Sequence, residues 1–339
     1  MKQHFKKLLL KEVFSDIIGQ ERTKQQTKSA LLMARNILIM GPPGVGKTTL
    51  AKNVAKLLPD IVVNDCSYHC DPKQPLCPHC KTHKNIKTKK ISGMQRFVRV
   101  QGSPDLTAED LLGDIDPIKA LKHGPTSIEA FTPGKIFKAN NGVLFFDEVN
   151  RCPEKLQNAL LQVLQEKQAT LGSYTIELPA NFILIATMNP EETAATEKLS
   201  DVFLDRFDTV HMSYPQTLDA ERTIVAKKGE RLDVTFPEDL FASAIMFIRI
   251  LRQHKDLIKK PSVRATLGLY ERAQANAYLA QEKSVNAEHI AEAVISVLAH
   301  RIELKPSVKY LQTNEEFLHK QFEDYVQDHP ELEHGGGRL

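Results

Sequence analysis

Residues 37–50 read Ile37-Leu38-Ile39-Met40-Gly41-Pro42-Pro43-Gly44-Val45-Gly46-Lys47-Thr48-Thr49-Leu50. A short apolar run leads into G-x-x-x-x-G-K-T, and the following LAKNVAKLL is compatible with a helix. The order is strand, phosphate loop, helix. Gly41, Gly44 and Gly46 let the backbone turn tightly enough to aim its N–H groups at phosphate oxygens, and the helix adds its positive end. Lys47 is placed to reach the β- and γ-phosphates and the Thr48 hydroxyl to ligate Mg²⁺; Pro42, Pro43, Val45 and Thr49 complete the loop. The stretch predicts a nucleoside triphosphate as ligand.

Around this loop the chain has 339 residues, 42% hydrophobic and 26% charged, enough for two domains with a substantial core. No run of eighteen apolar residues exists, so no membrane span is expected. The start, MKQHFKKLLLKEVF, holds an apolar run too short for a signal peptide, and a cytoplasmic protein is expected. The net charge of +3 is too small to argue for nucleic acid by itself, and without Trp there are few stacking platforms for single strands. The closing EHGGGRL reads as a frayed tail or an expression remnant.

Helices are expected over 21–35 and 48–58, and strands over Ile37–Met40, Phe97–Gln101, Val143–Phe146 and Phe182–Ala186. Leu106–Gly113 reads as a short helix capped by Thr107 or Asp105. Pro153–Gln168 places Leu156, Leu160, Val163 and Leu164 on one helical face. Thr170–Leu178 reads as a hairpin around Gly172-Ser173. Alternating strands and helices predict the α/β class with a doubly wound parallel sheet. After Tyr214-Pro215 four helical stretches follow, at about 219–228, 238–254, 262–281 and 287–300, with Asp219, Ser262 and Asn286 as N-caps. The expected organisation is a nucleotide-binding domain over 1–215, an all-helical domain over 216–310, and a C-terminal helix (about 314–327) with a tail over 311–339. Whether that last helix packs or protrudes is open.

The run Val143–Phe146 ends in Asp147-Glu148, and strand ends are where ligands sit in open α/β sheets. A parallel neighbour would bring Asp147 beside Thr48 to hold the Mg²⁺ shell, and Glu148 is then placed to polarise a water in line with the γ-phosphate. Phe182–Ala186 leads to Asn189, suited to orienting that water from the strand beside it. Arg206 in Leu204-Asp205-Arg206-Phe207 is suited to reach the γ-phosphate of a neighbouring subunit, and Arg264 to close over the nucleotide of its own chain.

These motifs, in this order, resemble the AAA+ ATPases, and more narrowly the MoxR branch and its relative, the ATPase (I) subunit of magnesium chelatase. The matching stretches include DIIGQE (16–21), GPPGVGKT (41–48), QGSPDLTAEDLLGDID (101–116), FTPGKIFKANNGVLFFDEVNR (131–151), ATMNPEE (186–192), LDRF (204–207) and SVRATLGLYERA (262–273). The resemblance implies ATP as the nucleotide and an AAA+ αβα P-loop domain followed by a helical lid. Lys47, Thr48, Asp147 and Glu148 correspond to the two Walker motifs, Asn189 to sensor 1, Arg206 to a trans arginine finger and Arg264 to sensor 2. Ile17, Ile18 and Gly19 match the segment packing near the adenine, about 126–139 the helix-2 insert, and Thr170–Leu178 the pre-sensor hairpin. It also implies a homo-oligomeric ring, usually a hexamer, and a partner protein with a von Willebrand A domain. VNRCPEKLQNALLQVLQEKQATL (149–171) leans to MoxR; KANNGVLFFDEVN (138–150) and a cysteine insert lean to chelatase.

That insert, residues 59–92, carries Cys66-x3-Cys70-x6-Cys77-x2-Cys80. The paired spacings suit a structural tetrahedral zinc site, with His69, His79 and His83 as substitute ligands; an iron–sulfur cluster and free or disulfide-linked thiols are the alternatives. Lys81, Lys84, Lys87, Lys89 and Lys90 follow and read as a solvated segment, or alternatively as a contact for nucleic acid or an acidic partner. Cys152 reads as a plain small residue. The functional expectation is an ATP-hydrolysing remodelling chaperone of MoxR type. The alternatives are a chelatase I-like subunit for metal insertion, a nucleic-acid motor and a non-catalytic scaffold. The hairpin LGSYTIEL has no Lys or Arg, against a DNA motor, and the complete catalytic set argues against a scaffold.

Overall fold

The computed structural model describes residues 2–66, 68–75, 77–83, 85–124, 127–166, 169–171, 174–176, 181–190 and 199–329. Five short, mainly apolar runs form one sheet: β1 Asn36–Met40, β2 Phe97–Gln101, β3 Val143–Asp147, β4 Ile183–Met188 and β5 Phe207–His211. Their order is β5-β1-β4-β3-β2 and every pairing is parallel. Parallel strands need crossovers long enough for a helix, and their faces are buried by those helices. Ile37, Leu38, Val143, Leu144, Phe145 and Leu184 are accordingly inaccessible to solvent. The chain is thus of the α/β class.

Three helices matter most beside the sheet: α1 Glu21–Leu32, α2 Lys47–Lys56 and α3 Glu154–Glu166. The α3 residues Leu156, Leu160 and Val163 are buried in one cluster with Leu144, Phe146, Leu184 and Ala186, and Leu164 is packed against it. Cys152 is buried in the same cluster. Ala108–Leu112 is a short helix opened by a capping box in which the Thr107 hydroxyl accepts from Asp110 N, so Thr107 rather than Asp105 is the cap. Residues Gly113–Ile115 and Phe131–Pro133 pair antiparallel and carry between them the helix Pro117–His123. The insert holds a two-stranded ribbon, Ile61–Asn64 with Thr88–Ile91, which no alternation in the sequence announced. Ala169–Leu171 and Tyr174–Ile176 pair antiparallel as the expected hairpin arms. Gly172-Ser173 and Glu177-Leu178 of that hairpin lie outside the described residues, as do Lys84 and the tail Glu333–Leu339.

Contacts divide the chain into two units, Met1–Gly41 with Gly46–Met212, and Pro42–Val45 with Ser213–Leu339. The second unit is built from α4 Leu218–Lys228, α5 Glu238–Gln253, α6 Val263–Leu279, α7 Ala287–Leu298 and α8 Asn314–Gln327. Ser262 and Asn286 cap α6 and α7 as expected. The cap of α4 is Thr217, whose hydroxyl accepts from Ala220 N at 3.2 Å, and not Asp219; the β-branched Thr217 adopts the extended backbone a cap requires. The helix α8 packs: Phe317 and Leu318 are buried, and the Tyr325 hydroxyl donates to Ser243 O at 3.2 Å.

One buried ionic knot joins three of these helices. The inaccessible Glu221 of α4 accepts from Arg252 Nη1 (2.7 Å) and Nη2 (2.6 Å) of α5 and from Thr266 Oγ1 (2.6 Å) of α6. Arg252 Nε donates to Pro261 O at 2.8 Å, and its guanidinium lies 4.8 Å from the centre of the Tyr214 ring. Arg249 Nη1 of α5 also stands 3.4 Å from the carboxylate, so removing Arg252 leaves the buried Glu221 with that long contact and the Thr266 hydroxyl, at a cost of up to about 3–5 kcal/mol. Arg252→Met is therefore expected to destabilise this unit by about that amount in urea unfolding. The double change Glu221→Met with Arg252→Met is expected to recover much of the loss. Equal losses in the single and double variants would refute the ionic account.

Candidate functional site

Because the five strands run one way, their C-terminal ends share an edge of the sheet, and hydrogen bonds hold those ends in register. Gly41 N donates to Met188 O at 3.2 Å, Met212 N to Met40 O at 2.8 Å, and Gly102 N to Asp147 O at 2.7 Å. The phosphate-loop segment leaves β1 at this edge, Asp147-Glu148 leaves β3, and Asn189 leaves β4. Asp147 does not neighbour β1 directly: β4 lies between β1 and β3, and it is α2, the helix beginning at Lys47-Thr48, that packs against β3.

The loop residue Gly46 caps α2 with φ 100° and ψ 17°, a backbone that an L side chain adopts only with strain. The Lys47 ammonium donates to Gly41 O. A Cβ on Gly46 would stand 3.5 Å from Ile17 Cδ1, so buried Ile17 lies against the loop, with Ile18 half-buried next to it. In the second unit, Ser262 Oγ accepts from Arg264 N at 3.2 Å. A Cβ on Gly44, which belongs to that unit by its contacts, would stand 3.4 Å from Arg264 Cγ.

The two acids are held by side chains from both flanking strands. Thr187 of β4 is inaccessible; its hydroxyl accepts from Glu148 N at 2.9 Å and donates to Asp147 Oδ1 at 2.6 Å. From β2, Arg99 Nη2 donates to Asp147 Oδ2 at 2.6 Å and Gln101 Nε2 donates to Glu148 Oε2 at 2.9 Å. Arg151 Nε stands 3.3 Å from the same Glu148 oxygen. Glu148 itself has a left-handed backbone, φ 55° and ψ 52°. Gly102 permits this turn to close: a Cβ there would fall 2.0 Å from Glu148 O.

Arg99, Gln101, Arg151 and Thr187 were not among the residues marked from the sequence. Two of them had a signal. Val98 and Val100 alternate with Arg99 and Gln101, which puts the latter pair on one face of β2. The pairing of Gln101 with Asp147 that brings them to the acids is a matter of sheet order, which no local pattern reveals.

Arg206 lies elsewhere. It immediately precedes β5, whose first residue pairs with Asn36 and whose last pairs with Met40. At about 3.3 Å per residue, Arg206 is about 20 Å down the strand from Gly41, where the phosphate loop begins, well beyond the length of an extended arginine. Its Nη1 donates to Asp205 Oδ2 at 2.9 Å, and with the Gln165 carboxamide oxygen turned toward it, Nε donates there at 3.1 Å.

The four insert cysteines converge. The Sγ atoms of Cys66, Cys70, Cys77 and Cys80 all lie within 4.8 Å of one another, with three of the residues buried; His69, His79 and His83 are outside the group. Cys70 N donates to Cys66 Sγ and Cys77 N to Cys70 Sγ, both at 3.4 Å. Hydrogen bonding with Cys70 holds the Cys66 thiol well below the usual range, and burial pushes Cys80 up. Of the lysines that follow, Lys89 pairs with Asp65 (2.7 Å) and Lys90 with Asp60 (3.2 Å).

Comparison with known proteins gives three family matches: "Magnesium chelatase, subunit ChlI" over residues 13–89, "ATPase family associated with various cellular activities (AAA)" over 78–209, and "AAA lid domain" over 254–320. The magnesium-chelatase subunit ChlI homolog of Methanocaldococcus jannaschii is 36% identical over 208 residues, 57% of this chain and 52% of that protein. The chain thus spans about half of that relative. Chloroplastic ChlI-2 of Arabidopsis thaliana is 29% identical over 86% of this chain and 76% of its own length, and the magnesium-chelatase 38 kDa subunit of Acidiphilium rubrum is 28% identical over 86% and 91%. Among solved structures, the complex between subunits BchI and BchD of magnesium chelatase aligns with TM-score 0.47 at 24% identity, over 88% of this chain and 98% of that one. The RuvB Holliday junction branch migration motor of Thermotoga maritima aligns with TM-score 0.46 at 16% identity, over 83% and 70%.

The Thr187 hydroxyl gives a test of the site's construction. Thr187→Val keeps the shape but leaves the Glu148 N–H without its acceptor. It is expected to cost about 1–3 kcal/mol in denaturant unfolding, with Thr187→Ser close to wild type. A valine variant as stable as the parent would remove Thr187 from the site's support.

Proposed function

We propose that this chain, which belongs to the AAA+ ATPases and is of the magnesium chelatase ChlI type, completes each of its ATP sites with Arg206 of a second copy. In this reading it hydrolyses ATP. The observation that carries the reading is the position of Arg206, at the opposite end of β5 from the phosphate loop, while Asp147-Glu148 and Asn189 leave their strands at the same edge as that loop.

In this reading the backbone of Gly41–Gly46 holds the phosphates, and Lys47 leaves Gly41 O for the β- and γ-oxygens. Ile17 and Ile18 cover the adenine side. Thr48 and Asp147 offer the oxygen donors that a hard cation prefers, so they suit Mg²⁺. The ion supplies charge neutralisation on the triphosphate when bound. Glu148, held by Gln101 and Arg151, accepts the proton of the attacking water, and Asn189 orients that water. Arg264 stabilises the nucleotide from its own chain, and the partner's arginine stabilises the transition state. The assembly is a ring, taken as a hexamer, acting in the cytoplasm. Among the described residues, no helix is long and apolar enough to cross a membrane.

The ring's motion is passed to a partner protein in trans, with a von Willebrand A domain as the expected kind. The family match over 13–89 and the named relatives favour a second reading, a motor subunit for metal insertion of the chelatase kind. A nucleic-acid motor is less well supported, because Lys89 and Lys90 of the basic run already close ion pairs with acids of the insert. The reading includes a structural Zn²⁺ on Cys66, Cys70, Cys77 and Cys80.

Two variants test the shared site. Glu148→Gln is expected to retain ATP binding and lose turnover by about 10²–10⁴-fold. Arg206→Ala is expected to lose about 10³-fold or more while binding ATP as before. Mixed together, these two inactive proteins should regain part of the activity, since each supplies what the other lacks. Full ATPase activity in Arg206→Ala alone sinks the trans assignment.

A further inference from the structure

The segment 59–92 has almost no apolar interior of its own. Among its described residues only Val63, Asn64, Cys70, Cys77, Cys80 and Ile91 are buried. Half of that set is cysteine. The cluster at its centre consists of Cys70, Cys77 and Cys80, with Cys66, Tyr68 and Ile86 packed around them. A few apolar side chains cannot offset the conformational entropy of ordering some thirty residues, and chain segments of this kind are held by staples.

The backbone around the thiols is nonetheless specific. Asn64 N donates to Cys70 O at 2.9 Å, Asp65 N to Lys87 O at 2.8 Å, and Lys81 N to Cys77 O at 3.0 Å. Two further amides are spent on sulfur, Cys70 N on Cys66 and Cys77 N on Cys70. Such amides stabilise thiolates rather than thiols. Four sulfurs all within 4.8 Å of one another surround a point, which suits a single ion. A cluster must fit several irons among the same four thiolates. Zn–S bonds of about 2.3 Å in a tetrahedron set S···S near 3.8 Å, a contraction of about 1 Å at most. With four protein ligands no open position remains for substrate or water.

The ends of the segment are held by a different device. Arg96 is inaccessible and spends its guanidinium on main-chain carbonyls alone among the hydrogen bonds described for it: Ser92 O at 3.2 Å, Pro59 O and Asn141 O. Pro59 and Ser92 are the two ends of the insert, and Asn141 leads into β3. The clamp uses none of the cysteines.

We propose that one Zn²⁺, closed in by Cys66, Cys70, Cys77 and Cys80, is the folding core of residues 61–91, and that the Arg96 clamp confines this metal dependence to the insert. The proposal rests on the zinc assignment and not on the ATPase reading. Zinc binding orders the ribbon Ile61–Asn64 with Thr88–Ile91 and the helix Pro78–Thr82; the parallel sheet is ordered without it.

The full chain, purified without chelator, is expected to carry one zinc per chain by elemental analysis. Cobalt should replace it, with the charge-transfer and d–d bands of a tetrahedral thiolate site. Removing the metal with a strong chelator should raise amide exchange across 61–91 by tenfold or more, while β1 and β3 keep their protection. The Cys77→Ser, Cys80→Ser double variant should bind no zinc and show the same exchange pattern; chelation of the wild-type chain makes the same test if that variant does not fold. A metal-free chain, an iron chromophore or cysteine–cysteine disulfides would overturn the zinc site. Unchanged exchange on metal removal would overturn the folding role, and loss of protection in β3 would overturn the confinement. ATP turnover of the same samples reports on the ATPase reading separately.

Discussion

The nucleotide end of this molecule depends on one constraint, the common direction of five strands. Parallel pairing in the order β5-β1-β4-β3-β2 delivers the phosphate loop, Gln101, Asp147-Glu148 and Asn189 to a single edge, although they are spread over about 150 residues of chain. The central strand β4 then does something no terminal loop could. Through Thr187 it touches the backbone of Glu148 and the side chain of Asp147 at once, so the geometry of the pair is fixed by a rigid element. The same direction puts Arg206 at the far end.

Much of this was legible in the sequence because it is local. The phosphate loop has its own residue pattern; Val143–Phe146 and Phe97–Gln101 read as strands because their residues are apolar or alternate. The class α/β and the helical character of residues beyond Tyr214 follow from periodicity. What was illegible depends on who neighbours whom. Gln101 and Thr187 acquire their partners only through the order of strands, and β3, which carries Asp147, is separated from β1 by β4 for the same reason. The cap of α4 was misplaced by two residues because Thr217 and Asp219 are both good caps by residue type. The ribbon at Ile61–Asn64 and Thr88–Ile91 is too short and too polar to show an alternation.

Three kinds of cohesion meet in one chain. The sheet is held by apolar burial between α3 and the strands. The helical unit adds an ionic knot, Glu221 with Arg252 and Thr266, where direction and charge select one arrangement of α4, α5 and α6. The insert has neither, and its thiols and the Arg96 clamp take their place. These differences predict unequal responses: loss of one charged partner bears on the knot, loss of the thiols on the insert, and neither on the sheet.

Glu148 remains the one acid of the site that stands on a left-handed backbone. For a residue with a Cβ that conformation costs about 1–2 kcal/mol, and only glycine or asparagine takes it readily. Stability and chemistry thus favour different residues at this position. Asparagine or glycine would relieve the backbone there, and a glutamate accepts that cost in return for its carboxylate.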